Sequence, residues 1–166
     1  TSQPVGHYEF CQRLPNECRQ VTPAEAPVDL TRKLWATIIA VNNSVNTSVQ
    51  PRTDMEMWGK EEVWSYPDSG FGDCEDYVLY KRRLLIDQGF PRQALLVTVV
   101  KDEHGEGHAL LTVKTNQGEF ALDNLHDEVK PWNQTRYRFV KRQSQTDQNV
   151  WVDIGEPTAA PMIVSR

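Results

Sequence analysis

The sequence predicts one α+β domain in which helices precede an antiparallel sheet. Three observations predict it. A helical apolar period runs from Asp29 to Val45. A second helical stretch opens in SGFGDCEDY and closes where Gly89 is followed by Pro91. Beyond Pro91 the pattern changes to short Val- and Leu-rich runs separated by turn signals. At 166 residues the chain has the length of a single domain. A chain of that size buries roughly 70% of its unfolded surface, so neither metal nor disulfide is required merely to fold.

Residues 1–27 are rich in Pro and polar side chains and read as an irregular N-terminal arm. In the first helix Leu30, Leu34, Ile38, Val41 and Val45 form an apolar stripe, bordered by Trp35, Ile39, Asn42 and Asn46. Pro, Gly, Asp and Ser punctuate residues 50–72, which also hold Trp58 and Trp64. That stretch reads as a long, partly packed connection of the kind that carries function. For the second helix Asp73 is the expected N-cap, Glu75 and Asp76 sit at the positive end of the dipole, and Lys81, Arg82 and Arg83 lie farther along. Cys74 therefore falls in its first turn.

The run 94–100 reads as a strand buried on both faces, 108–115 and 119–123 as a hairpin, and 136–142 and 149–154 as further strands. Residues 155–166 read as a loose tail. A two-residue loop at Asn116-Gln117 would set Lys114 opposite Glu119, Val113 opposite Phe120, Thr112 opposite Ala121, Leu111 opposite Leu122 and Leu110 opposite Asp123. Apolar pairs then share one face and an opposite-charge pair the other. In that register His108 and Asp123 are diagonal neighbours within side-chain reach.

Hydrophobic residues make up 39% and charged residues 25%, which separates this chain from disordered sequences. A net charge of -5 argues against nucleic acid as the main partner. No apolar run approaches the ~18 residues of a membrane span, so the chain is not expected to be membrane-embedded. The opening TSQPVGHYEF has neither a basic n-region nor an apolar h-region, so no signal peptide is visible and a mature or trimmed form is expected.

Three cysteines are present. Cys11 and Cys18 are close enough in FCQRLPNEC to bridge, leaving Cys74 as a free thiol; two reduced cysteines are the alternative. Their spacing matches no zinc pattern. A bridge would imply an oxidising compartment, hence a periplasmic or secreted protein.

A cysteine in the first turn of a helix is where backbone N–H groups and the helix dipole favour a thiolate. Such a nucleophile needs an imidazole and a third group to orient it. Cys74 on the helix, His108 at a strand start and Asp123 at the end of the adjoining strand could supply all three; a structural cysteine, a turn histidine and a capping aspartate are the alternative. Of the other histidines, His104 sits in a charged turn, His7 in the arm, and His126 is the rival base. His108 is preferred because it opens an apolar strand that fixes its ring.

Asp73, Glu75 and Asp76 crowd Cys74, and like charges oppose thiol ionisation. A bound cation would offset them. Oxygen ligands at this density suit Ca²⁺, with Asp54 or a backbone carbonyl completing the shell; a simple helix cap is the alternative.

VNNSVN at 41–46, MWGKEEVWSYPDSGFGDCEDY at 57–77, GHALLTV at 107–113 and ALDNL at 121–125 resemble the bacterial transglutaminase-like cysteine proteinases, the family that includes the LapG-type periplasmic proteases. The resemblance runs from about residue 35 to residue 126. It implies a papain-like, transglutaminase-like α+β fold, with the nucleophile helix packed against an antiparallel sheet. It also implies Cys74 as nucleophile, His108 as general base and Asp123 as orienter. LapG-type members depend on calcium held by acidic residues flanking the nucleophile, which carries over to Asp73 and Glu75, with Asp76 beside them. Those proteases trim a large surface adhesin, and an inner-membrane cyclic-di-GMP receptor sequesters them. The Cys11–Cys18 arm lies outside the shared motif, and the last third of the chain matches weakly.

The expected activity is therefore a calcium-dependent cysteine endopeptidase acting on a secreted or surface protein. Acyl transfer to an amine and a catalytically silent binding domain are the competing readings. The Cys74 N–H is the expected oxyanion donor, with Asn42 or Asn46 as a candidate second donor or as helix packing. Trp58 and Trp64 are candidates for either the cleft or the core.

Overall fold

The structure is a computed structural model and describes residues 1–19, 21, 23 and 27–154. In chain order its elements are α1 (Val5–Arg13), α2 (Arg32–Ser48), β1 (Gln50–Pro51), α3 (Asp54–Trp58), β2 (Phe71–Gly72), α4 (Cys74–Asp87), β3 (Leu95–Lys101), β4 (Gly107–Thr115), β5 (Gly118–Asp123), β6 (His126–Pro131), β7 (Arg138–Gln143) and β8 (Trp151–Asp153). Strands β3 to β8 form one antiparallel sheet in the order β6-β5-β4-β3-β7-β8, while β1 and β2 pair in parallel. The helix-then-sheet order read from the sequence is the observed one.

Local chemistry explains the helix ends. Thr31 Oγ1 accepts the Leu34 N–H at 3.1 Å and starts α2. At the head of α4, Asp76 Oδ2 accepts the Asp73 N–H at 3.2 Å. Its other end passes into Gly89 at φ +95°, a conformation that favours glycine, and Pro91 prevents continuation.

Four of the expected hairpin pairs are present, Leu111–Leu122, Thr112–Ala121, Val113–Phe120 and Lys114–Glu119, and Thr115 faces Gly118 across the two-residue loop. Alternation decides what each residue packs on. Ala109, Leu111, Val113 and Leu122 join the main core with Val78 and Leu85 of α4 and Ile38 of α2. Leu110 and Ala121, of opposite parity, join Val100 and Phe139 in a second apolar cluster.

The N-terminal arm is not irregular as expected, since it contains α1. The buried face of α1 is Gly6, His7, Phe10 and Cys11. Those positions have helical spacing, but a glycine and a histidine among them hide the apolar period. Trp64 packs so closely on Gly6 that a side chain there would strike the indole. Cys11 and Cys18 are joined by a disulfide with S–S 2.02 Å. β6 is also additional to the expected strands; in HDEVKP only Val129 is buried, so this edge strand carries no alternation signal. The loose tail expected at 155–166 lies outside the described residues. Among those described, no helix is long and apolar enough to cross a membrane.

Candidate active site

Cys74 is the first residue of α4 and is fully buried. The β1–β2 pair brings the intervening loop back to it, with Gln50 N–H donating to the Gly70 carbonyl and Arg52 N–H to that of Gly72, each at 2.9 Å. A Cβ on Gly72 would stand 2.8 Å from Asp76 Cβ, so glycine permits this close return.

His108 is the second residue of β4 and Asp123 the last of β5. The hairpin register makes them diagonal neighbours, and His108 Nε2 stands 2.8 Å from Asp123 Oδ1. The imidazole also hydrogen-bonds the Cys74 side chain. With Nε2 taken by Asp123, Nδ1 is the nitrogen left for the thiol. Burial opposes a charged ring at His108, but the hydrogen bonds to Asp123 and Cys74 and their charges outweigh it and push its pKa up to about 10. Burial likewise opposes the Asp123 carboxylate, yet its His108 and Tyr137 hydrogen bonds hold it below the usual carboxylate range.

Asp123 is held from several sides. Oδ2 accepts the Tyr137 hydroxyl at 2.6 Å and Oδ1 accepts the Leu125 N–H at 3.1 Å. Tyr137 also lies beside the imidazole, its ring centroid 5.3 Å from that of His108. Sequence reasoning did not find Tyr137, because it precedes β7 and only the fold brings that end of the strand to Asp123. The rival base His126 is mostly exposed and its Nε2 lies 4.0 Å from Asp123 Oδ2. His104 is exposed in its turn. A cleft of about 400 Å³ runs beside this cluster, lined by Asp123, Leu125, His126 and Tyr137 with Asp102 and Glu128.

Asn42 and Asn46 are not free to serve as oxyanion donors. Asn42 Nδ2 donates to the Asp127 carbonyl at 3.1 Å and Asn46 Nδ2 to the Asp123 carbonyl at 2.9 Å. Trp64 is a core residue, fully buried against His7 and Trp151, whereas Trp58 is 53% exposed.

Asp54, Asp73, Glu75 and Asp76 converge beside Cys74, all buried, with one potential ligand atom from each within 4.8 Å of the others. Backbone donors orient two of them: the Val63 N–H reaches Asp54 Oδ2 at 2.6 Å and the Ser65 N–H reaches Asp76 Oδ1 at 3.0 Å. Asp54 Oδ1 and Glu75 Oε1 are buried without a hydrogen-bond partner. Burial, reinforced by the neighbouring charges, pushes Asp73 up to about 11, Asp76 up to about 7 and Glu75 well above the carboxylate range. An all-oxygen donor set with orphaned lone pairs, which otherwise has to hold protons, fits a hard divalent cation.

A helix-borne cysteine beside a histidine–aspartate hairpin on an α+β scaffold is the architecture of a transglutaminase-like thiol enzyme. The chain matches the bacterial transglutaminase-like cysteine proteinases over residues 1–159. It belongs to that family and is a cysteine protease.

Three solved structures with the same fold are of LapG from Legionella pneumophila. The first aligns at 21% identity and TM-score 0.55 over 66% of this chain, which spans 64% of that one. The calcium-bound form aligns at 17% identity and TM-score 0.63, covering 96% and 87% of the two chains. The EGTA-treated form aligns at 19% identity and TM-score 0.62, covering 80% and 72%. No curated protein matches this chain.

Proposed function

We propose that the protein is a calcium-dependent endopeptidase whose nucleophile is Cys74, with His108 as general base and acid and Asp123 as its orienting carboxylate. The observation that carries this reading is the buried Nε2–Oδ1 contact of 2.8 Å on an imidazole that also bonds Cys74. The Cys74 sulfur attacks a peptide carbonyl, its proton passing to His108. As the C–N bond breaks, the imidazolium returns that proton to the departing amine. Water then adds to the thioester, with His108 taking its proton, and the acid product leaves as the thiol is restored. Throughout, Asp123 holds the ring in one tautomer and stabilises its charge. The Cys74 N–H at the start of α4 donates to the oxyanion.

Asp73, Glu75, Asp76 and Asp54 would hold the calcium ion. A cation there neutralises carboxylate charge beside the nucleophile. The residues' own part is to offer buried oxygens pre-aimed by the Val63 and Ser65 N–H groups.

The proposed substrate is a secreted or surface protein such as a large adhesin, and the proposed location is the periplasm or outside the cell. Support comes from the LapG resemblance and from the Cys11–Cys18 disulfide, which suits an oxidising compartment. An inner-membrane cyclic-di-GMP receptor is a proposed partner on the same resemblance. The test is to label new N-termini in a surface proteome treated with the protein or its Cys74→Ala variant, with and without Ca²⁺, adding a labelled amine in parallel. Cleavages that need both Cys74 and Ca²⁺ are expected; amine incorporation exceeding cleavage would overturn the endopeptidase reading.

A further inference from the structure

Asp123 ends β5 at the turn into β6, and a turn is a mobile place to mount a carboxylate that must stay on His108. Two side chains of α2, one helical turn apart and so on one face, grip that turn from beneath. Asn46 Nδ2 donates to the Asp123 carbonyl at 2.9 Å and lies 3.4 Å from Asp127 Oδ1, while the fully buried Asn42 donates to the Asp127 carbonyl at 3.1 Å. Both amide oxygens are buried without a partner, so the amides serve the turn through their donors.

A third group, on α4, is attracted by the carboxylates at the two ends of the same turn. Lys81 is fully buried, and its Nζ has no hydrogen-bond partner among the described residues. Its Nζ stands 6.0 Å from the centroid of the Tyr77 ring on its own helix. Tyr77 is itself fixed by donating its hydroxyl to the Val49 carbonyl at 2.8 Å. The anions that act on Lys81 are Asp123 and Asp127. Burial pulls its pKa down to about 7 against the attraction of those two carboxylates. A buried, unsatisfied ammonium destabilises a fold, and an apolar side chain of similar volume would serve packing better. Stability alone therefore does not account for a lysine at this position.

We propose that Asn42, Asn46 and Lys81 form a clamp that fixes Asp123 for His108, Asn46 holding its backbone carbonyl, Asn42 holding the Asp127 carbonyl beyond the turn, and Lys81 supplying positive charge to its carboxylate. All three are positioning residues, acting through Asp123. The inference rests on the reading of Asp123 as the orienting carboxylate.

The test uses the full chain with its disulfide intact and compares Lys81→Met and Asn46→Leu with the parent and with Asn43→Ala, an exposed α2 neighbour. Three readouts are needed: melting temperature, the proton NMR resonance of the His108–Asp123 hydrogen bond, and the pH profile of Cys74 alkylation by iodoacetamide. Lys81→Met is expected to melt higher than the parent and yet to lose or shift the His108 resonance. Its alkylation at pH 7 should slow by about tenfold, the rate equivalent of roughly one lost hydrogen bond. Asn46→Leu should show the same spectroscopic and kinetic losses, and Asn43→Ala none. If Asn46→Leu does not fold, Lys81→Met carries the test. A folded Lys81→Met with the parent's resonance and pH profile overturns the clamp. A parent whose Cys74 alkylates no faster than a free thiol overturns the protease reading instead, and the His108 resonance still judges the clamp.

Discussion

Cys74 Sγ lies 3.3 Å from Oε2 of Glu75, so the residue next in the chain is also the carboxyl group that touches the thiol. Burial raises Glu75 well above the carboxylate range, and the charges of Cys74, Asp73 and Asp76 reinforce it. Without a cation, this corner of the site must store protons rather than charge.

Calcium binding should therefore release protons. In weakly buffered solution at pH 7, adding Ca²⁺ is expected to acidify the medium, because Asp73, pushed up to about 11, is protonated before the metal arrives. Binding at a hundredfold excess over Kd adds about 2.7 kcal/mol of stability. For a chain of this length that raises Tm by about 5–10 °C. EGTA should reverse the shift and Asp73→Asn should abolish it. A Tm unmoved by millimolar Ca²⁺ would remove the metal site.

Asp123→Asn keeps the shape of the orienting group and removes its charge. Hydrolysis at pH 7 should fall on the order of 10⁴-fold, as triad orienters elsewhere indicate, and Cys74 alkylation should slow with it. Stability gives an independent check. His108 has a folded pKa near 10 against an ordinary 6.5, so it binds its proton more tightly when folded. Its stabilising contribution is complete below pH 6.5 and is lost as pH rises through about 10. Urea unfolding of Asp123→Asn should show a smaller loss over that window than the parent.

His7 works in the opposite direction. Its ring sits between Trp64 and Trp151, at centroid distances of 5.5 and 5.3 Å, and burial followed by the charge of Arg82 lowers its pKa to about 3. The unfolded chain then binds a proton that the folded one excludes. Stability contributed by the neutral ring is complete above pH 6.5 and declines as pH falls towards 3. His7→Phe should flatten that acid limb relative to the parent in unfolding followed by tryptophan emission. An unchanged limb would show that His7 is protonated at no cost.

The disulfide closes a short loop, with a sequence separation of 7. Loop-closure entropy for that length is worth about 2–3 kcal/mol. The double variant Cys11→Ser/Cys18→Ser should lose about that much in chemical denaturation. Thiol counting on unfolded, unreduced protein should find one free group, Cys74, and three after reduction.

The legible parts of this protein share a cause. The β4–β5 register could be written from sequence because side chains alternate with period two and the loop at Asn116-Gln117 admits one pairing that puts apolar residues together. Once the register is set, His108 and Asp123 meet by geometry. The N-terminal position of Cys74 followed from Asp73 and the acidic turn after it. By contrast, α1 buries a face that includes Gly6 and His7, and β6 buries only Val129, so neither offers a period to read.

By itself, then, the sequence determined the order of helices and strands, the hairpin register, and the chemical types brought to Cys74, because capping and alternation act between near neighbours along the chain. The tertiary structure alone decided the rest. Tyr137 reaches Asp123 across the sheet, and Asn46 meets its carbonyl from 77 residues away. Of the two candidates for completing the acidic shell, Asp54 joins the cluster because the Val63 N–H aims its carboxylate and the β1–β2 pair closes the loop. Lys81, one of three basic residues in a row, is the fully buried one, and there the charges of Asp123 and Asp127 act on it. Contacts of that kind depend on how separate elements pack, which no local period encodes.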